Sequence, residues 1–505
     1  MAVAERAKAW DVFEQFERDV CQLGRVGGLL NWDEQVNMPP RGAAARGDAK
    51  ATLAGVLHER ICDERFGEAI SELDGDASLG EFERARVREA QRERDRAVRV
   101  PASLVRQLAQ AESAGFEAWQ VARAQSDFSL FRDPLEHLVS LRREEADAVG
   151  YDGGERYDAL LDQYEPDMRV ARLEPLLQGL RDELVPFVQE IAARPRPDDA
   201  FVHRSYPAQQ QRAVGARLAA AIGFDFEAGR LDEAAHPFAS GFAPGDVRLT
   251  TRESENDLFA GLFAVLHESG HGLYEQGLTG AIEGTFCGTA TSLGLHESQS
   301  RFWENMVGRS HAFWERHLAE VEAAFPEQLK DVSLDVFVRA ANLVEPSLIR
   351  VEADEVTYHL HVFLRFELEL ALVRGDLAVD DLPAAWNERM RTLVGIEVPN
   401  DAVGVLQDVH WSAGLVGYFP TYTLGTLYSA QFLAAIEREL GPIDAIVRAG
   451  EYDRLLGWMR EHVHSRGALV APEQIALDAT GEAPGHAAFM RYLRVKYGEL
   501  YDLGG

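Results

Sequence analysis

The sequence predicts a mainly α-helical protein with one small β-sheet, and three observations predict it. Apolar residues recur at helical spacing along most of the 505 residues, and apolar content is 46%, as in a folded globular chain. One stretch, about 223–252, breaks that period. Gly, Pro and Phe cluster there, and Asp246-Val247-Arg248-Leu249-Thr250 alternates polar with apolar. No run approaches ~18 uninterrupted apolar residues, so nothing in the sequence is built to span a membrane.

Taken in order, residues 1–195 read as successive helices, among them 42–72, a charged stretch 80–98, and 101–125 opening at Pro101. The charged stretch mixes acids and arginines at helical spacing, as in Glu81 with Arg84, which suits a solvated helix face. Pro195-Arg196-Pro197-Asp198-Asp199 reads as a turn or linker. It marks off an N-terminal helical region, 1–195, forming part of the groove wall or lid, from a catalytic helical region with the small β-sheet, 196–505, the two expected to make one continuous fold. The strand at 246–250 precedes a helix with Ser254 as N-cap and Asp257 in its first turn. That strand could offer its edge to an extended peptide. A helix near 291–303 follows, then helices from 349 to about 375 and over 427–439, 451–464 and 484–500.

Composition narrows the partners. A net charge of −32 disfavours nucleic acid and anionic membranes. Cys21, Cys62 and Cys287 are odd in number and far apart, which argues against a disulfide framework and for a reducing cytoplasm. The first residues lack an apolar h-region, so no signal peptide is expected.

The chemistry concentrates at His267-Glu268-Ser269-Gly270-His271. Leu258, Leu262 and Val265 lead into it at helical spacing. On a helix the two imidazoles sit one turn apart on one face, where they can bind one Zn²⁺, and Glu268 can reach a water activated there. The pattern names metal-assisted hydrolysis of an amide or ester. Gly270 and Gly272 could admit close approach of another segment, and Gly277 could end the helix. A catalytic zinc usually takes three protein ligands. Glu297 on the next helix is the favoured third; His296, pointing about 100° away, competes, and Cys287 is a further alternative.

Further blocks accompany the motif in order. They are Trp32-Asp33 with Met38-Pro39-Pro40; His236-Pro237-Phe238; Asp246-Val247-Arg248-Leu249-Thr250; His296-Glu297-Ser298; Ile349-Arg350-Val351-Glu352-Ala353-Asp354; and Gly404-Val405-Leu406-Gln407-Asp408-Val409-His410-Trp411. With these the sequence resembles the thermostable carboxypeptidase (carboxypeptidase Taq) family of zinc metallocarboxypeptidases. The resemblance implies a large helical metallopeptidase fold with a deep substrate groove and the metal at its floor. It also implies a homodimer, zinc with cobalt as a possible substitute, and removal of single C-terminal residues with broad specificity.

An exopeptidase must hold the substrate's terminal carboxylate, and arginine's planar fork suits it. Arg350, opening a helix, is the first candidate, with an Arg350–Asp354 ion pair as the plain alternative. Arg248 is the second. An oxyanion needs a neutral donor, for which His410, Tyr418 and Tyr422 are the candidates. The expected partners are thus peptides with a free C-terminus, cleaved with Glu268 as general base. Two rivals stay open: an oligoendopeptidase with the same motif, and a helical scaffold with a structural metal.

Overall fold

The computed structural model describes residues 3–503, and the chain in it is mainly helical, with one three-stranded sheet. It divides into two compact units, neither continuous in sequence. The first comprises residues 1–98, 198–341 and 432–483; the second comprises 99–197, 342–431 and 484–505.

In the first unit the helix Val3–Val36 packs its Phe13 and Phe16 on Phe66, Ile70 and Leu73 of the helix Glu64–Asp74 and on Val87 and Ala90 of Glu81–Arg99. Phe13 and Phe66 are fully buried, each contributing about 2–3 kcal/mol from apolar area removed from water. The expected helix 42–72 is two, Ala43–Cys62 and Glu64–Asp74, because Asp63 turns extended and caps the second by accepting from the Arg65 amide. The charged helix is solvated on one face only. Ala85, Val87 and Ala90 are buried, and Arg86 goes in with them, pairing with the buried Glu17 and lying 4.8 Å from the Trp10 ring centre.

The sheet comprises β1 (Gly229–Glu233), β2 (Ala239–Ala243) and β3 (Asp246–Thr251) in the order β1-β3-β2. β3 pairs parallel with β1 (Leu231 opposite Leu249) and antiparallel with β2 (Ser240 opposite Arg248). Alternation does what the sequence pattern asks: Val247 and Leu249 point inward, fully buried. The strand order corrects the expectation of peptide addition to 246–250. β3 is central, so both of its edges are already paired.

The helix Leu258–Gly277 carries the motif. Its N-cap is Asp257, not Ser254: the Asp257 carboxylate accepts from the amides of Phe259 and Ala260, both at 3.0 Å. Leu258, Leu262 and Leu266 are fully buried. Gly270 faces the helix Leu293–Arg301, where a Cβ would stand 2.6 Å from the Ser300 Cα. The absent side chain lets the two helices touch backbone to backbone, and that contact brings Glu297 to the histidines.

In the second unit the helices Ala102–Gln125 and Ser129–Val149 pack through Leu104, Leu108, Leu138 and Leu141. The helix Tyr358–Arg374 is buried nearly all round: apolar residues lie on every face of it, and His361, Arg365 and Glu369 are buried among them. Arg350 does not open an α-helix. It lies in a single 3₁₀ turn, Arg350–Glu352, because Asp354 turns its carboxylate to the Val356 and Thr357 amides instead.

Candidate active site

In the first unit the structure brings His267, His271 and Glu297 together. Glu297 Oε2 lies 3.6 Å from His267 Nε2 and 3.4 Å from His271 Nε2. One ligand atom from each of the three lies within 4.8 Å of the others. Tetrahedral zinc with bonds of about 2.0–2.1 Å separates its ligand atoms by roughly 3.3–3.4 Å, so the spacing and the N, N, O donor set fit a divalent ion. Ser292 caps the helix that carries Glu297, accepting from the Leu295 amide at 2.9 Å. Glu268, on the same helix as the histidines, is 6% exposed. Burial, with Glu297 nearby, pushes its carboxyl up to about 7.

The groups behind the ligands are charged and specific. Glu304 Oε2 takes the far nitrogen of His267, Nδ1, at 2.8 Å, and Glu304 Oε1 accepts from Arg309 Nη2 at 2.9 Å. Arg301 Nε donates to Glu297 Oε1 at 2.6 Å. Burial works against the Glu297 anion, but Arg301 and His267 more than cancel it and hold the carboxyl well below the usual range. His267 is also shifted against its burial, upward, by Glu297 and Glu304. His271 is shifted the other way: burial and the neighbouring His296 outweigh Glu297 and hold it down at about 3, and its Nδ1 has no hydrogen-bond partner among the described residues. His296 turns from the cluster, stacks on His271 with ring centres 4.4 Å apart, and bonds Glu275 Oε1 at 2.9 Å. Cys287 is buried outside the cluster, its thiol pushed up to about 12 by burial.

Arg248, also in this unit, is already engaged. Its guanidinium meets Asp246 at 2.9 and 3.1 Å and lies over the Trp32 ring at 4.1 Å.

In the second unit Arg350 is 5% exposed and reaches Asp408 rather than Asp354, with Nε 3.0 Å from Oδ1. It donates to the Tyr358 hydroxyl at 2.8 Å and lies 5.0 Å from the Tyr422 ring centre. His410 Nε2 is 3.1 Å from the Tyr422 hydroxyl, and Tyr418 stands edge-on to His410 at 5.4 Å. Burial and then Arg350 hold His410 at about 3, so it is a neutral imidazole. The loop bearing His410 is tied down by Glu369, which accepts from Tyr157, Trp411 Nε1 and the Gly417 amide at 2.7, 2.8 and 2.7 Å.

Two imidazoles and a carboxylate converging on one point of a helical fold, with a buried carboxyl beside them, define the chain as a metal-dependent hydrolase. The family model described as carboxypeptidase Taq (M32) metallopeptidase matches residues 12–497. A thermostable carboxypeptidase 1 from Thermus thermophilus is 45% identical over 499 residues, covering 96% of this chain and 98% of the relative. Carboxypeptidase 1 of Bacillus subtilis is 38% identical over 495 residues, with 98% of each chain covered. Among solved structures, an M32 carboxypeptidase from Deinococcus radiodurans superposes with TM-score 0.96 at 37% identity, covering 98% of this chain and 100% of that one. The chain belongs to the carboxypeptidase Taq (M32) family and is a metal-dependent carboxypeptidase.

Sequence reasoning missed Glu304, Arg301, Arg309, Asp408 and Arg365. A signal existed for the first two: Arg301 and Glu304 stand four and seven residues after Glu297, hence on its face of a continuing helix.

Proposed function

We propose that the protein releases single amino acids from the free C-termini of peptides, with broad tolerance of the side chain released. The observation that carries this reading is the His267–His271–Glu297 cluster with Glu268 buried beside it. Those three residues would hold zinc, with cobalt as a substitute, and a bound ion would polarise the peptide carbonyl and activate water there. Glu268 takes the proton of the attacking water and returns it to the leaving amine. Its low exposure supports that role, because a shielded carboxyl is readily reprotonated.

Arg350 receives the substrate's terminal carboxylate. Its place supports this: it shares the 404–411 block with His410 through Asp408, 3.0 Å from Nε, and lies 5.0 Å from the ring centre of Tyr422, the hydroxyl partner of His410. His410, neutral and bonded to Tyr422, with Tyr418 at its edge, donates to the developing oxyanion. Three free thiols support a reducing, cytoplasmic setting. No described helix is long and apolar enough to cross a membrane. The homodimer rests on family membership.

The test is mass spectrometry of a peptide ladder from metal-loaded protein, run beside the same peptide as its C-terminal amide. Stepwise loss of single residues from the free acid, and none from the amide, is expected. Internal fragments from both peptides would instead identify an endopeptidase.

A further inference from the structure

Arg365 sits in the middle of the apolar helix Tyr358–Arg374 with no exposure at all. A buried guanidinium is costly unless paired, and its partner is Asp408 Oδ2, 2.6 Å from Nε and 2.5 Å from Nη2. The other oxygen of the same carboxylate, Oδ1, is taken by Arg350 at 3.0 Å. Arg365 Nη1 is spent on the His361 carbonyl at 2.9 Å, and the guanidinium lies 4.7 Å from the Trp386 ring centre.

The charge count is informative. Two guanidiniums share one carboxylate. The neighbouring imidazoles add no further positive charge: burial and Arg365 hold His361 at about 3, and burial and Arg350 hold His410 there too. Without Arg365, Arg350 and Asp408 would form a neutral pair with little attraction for a carboxylate. With it, one positive charge is left over. Arg365 cannot meet a ligand, whereas the Arg350 side chain keeps 6% exposure, so the excess charge is expressed at Arg350.

We propose that Arg365 is a positioning residue for C-terminal recognition: by engaging Asp408 from the buried side, it keeps Arg350 held in place yet net positive, ready for a substrate carboxylate. This rests on Arg350 being the carboxylate anchor. Removing a unit charge at this depth weakens carboxylate binding by about tenfold or more.

The experiment measures, for wild type and variants, the inhibition constant of a peptide C-terminal amide divided by the KM of its free acid. Arg350→Gln tests the anchor itself: it should bring the ratio near one, and an unchanged ratio would reject the anchor reading whatever Arg365 does. Arg365→Gln should lower the ratio about tenfold, with the loss on KM rather than kcat. The double variant Arg365→Gln/Asp408→Asn, which again leaves Arg350 with one net charge, should restore it. If Arg350→Gln collapses the ratio while Arg365→Gln leaves it unchanged, the role of Arg365 is overturned and the anchor stands. A double variant as impaired as the single one reduces Arg365 to a structural group. Should Arg365→Gln alone not fold, the folded double variant decides: a wild-type ratio supports the proposal, and a lost ratio ends it.

Discussion

Glu304→Gln is the sharpest probe of the metal centre, because it changes one charge and almost no volume. The wild-type carboxylate holds His267 Nδ1 at 2.8 Å through Oε2 and Arg309 Nη2 at 2.9 Å through Oε1. A glutamine can still accept from the Nδ1–H, which preserves the tautomer that frees Nε2 for a metal. Its amide NH₂ must then face Arg309, donor to donor. The variant therefore loses the negative charge behind His267 and one charge-assisted bond, while His271 never had such support at its own Nδ1. Losing a carboxylate behind a histidine ligand weakens metal binding by about 10–100-fold, or roughly 1.4–2.8 kcal/mol. The assay is competition for zinc against a chromophoric chelator at fixed pH, with far-UV circular dichroism to confirm the fold. A zinc affinity within threefold of wild type would refute the idea that Glu304 tunes this ligand.

Other outcomes follow from the same geometry. Gly270→Ala places a Cβ 2.6 Å from the Ser300 Cα, so thermal melting should show a loss of about 1–3 kcal/mol; a loss under about 0.5 kcal/mol would mean the helix contact is looser than described. Glu369 is pushed up by burial from 4.5 to about 7, so its protonated form stabilises the fold fully below pH ~4.5, and that contribution is lost as pH rises through ~7. The stability advantage of wild type over Glu369→Gln should accordingly shrink by up to about 3 kcal/mol between those pH values in denaturant titrations; a pH-independent difference would contradict it. Chelation should abolish hydrolysis and leave most helicity, with recovery on adding zinc or cobalt; loss of helicity would mark the metal as structural.

Much of the metal centre was legible because its information is local. The helical stripe ending in His267 and His271 sets their spacing, and Ser292 begins the helix on which Glu297 faces them. The strand was legible from alternation, but its central place in the sheet was not, since pairing order joins segments that local pattern treats separately. Arg350 was misread as opening a helix because Asp354, its alternative ion partner at helical spacing, turns its carboxylate to the next turn instead. Its true partner, Asp408, lies far along the chain. Arg365 and Glu369 left one clue: they stand in a helix with apolar residues on every face, where most charged positions are buried and need a partner. Their partners, Asp408 and the Tyr157–Trp411–Gly417 set, are matters of tertiary packing that no spacing encodes.

Hydrolysis by this protein turns on Glu268 moving the proton at a metal held by His267, His271 and Glu297. Glu268→Gln tests it most directly, with bound metal and turnover measured on the same preparation. The variant should hold a full complement of metal and hydrolyse peptides about 10²–10⁴-fold more slowly. A variant that keeps its metal and hydrolyses peptides at the wild-type rate would contradict it.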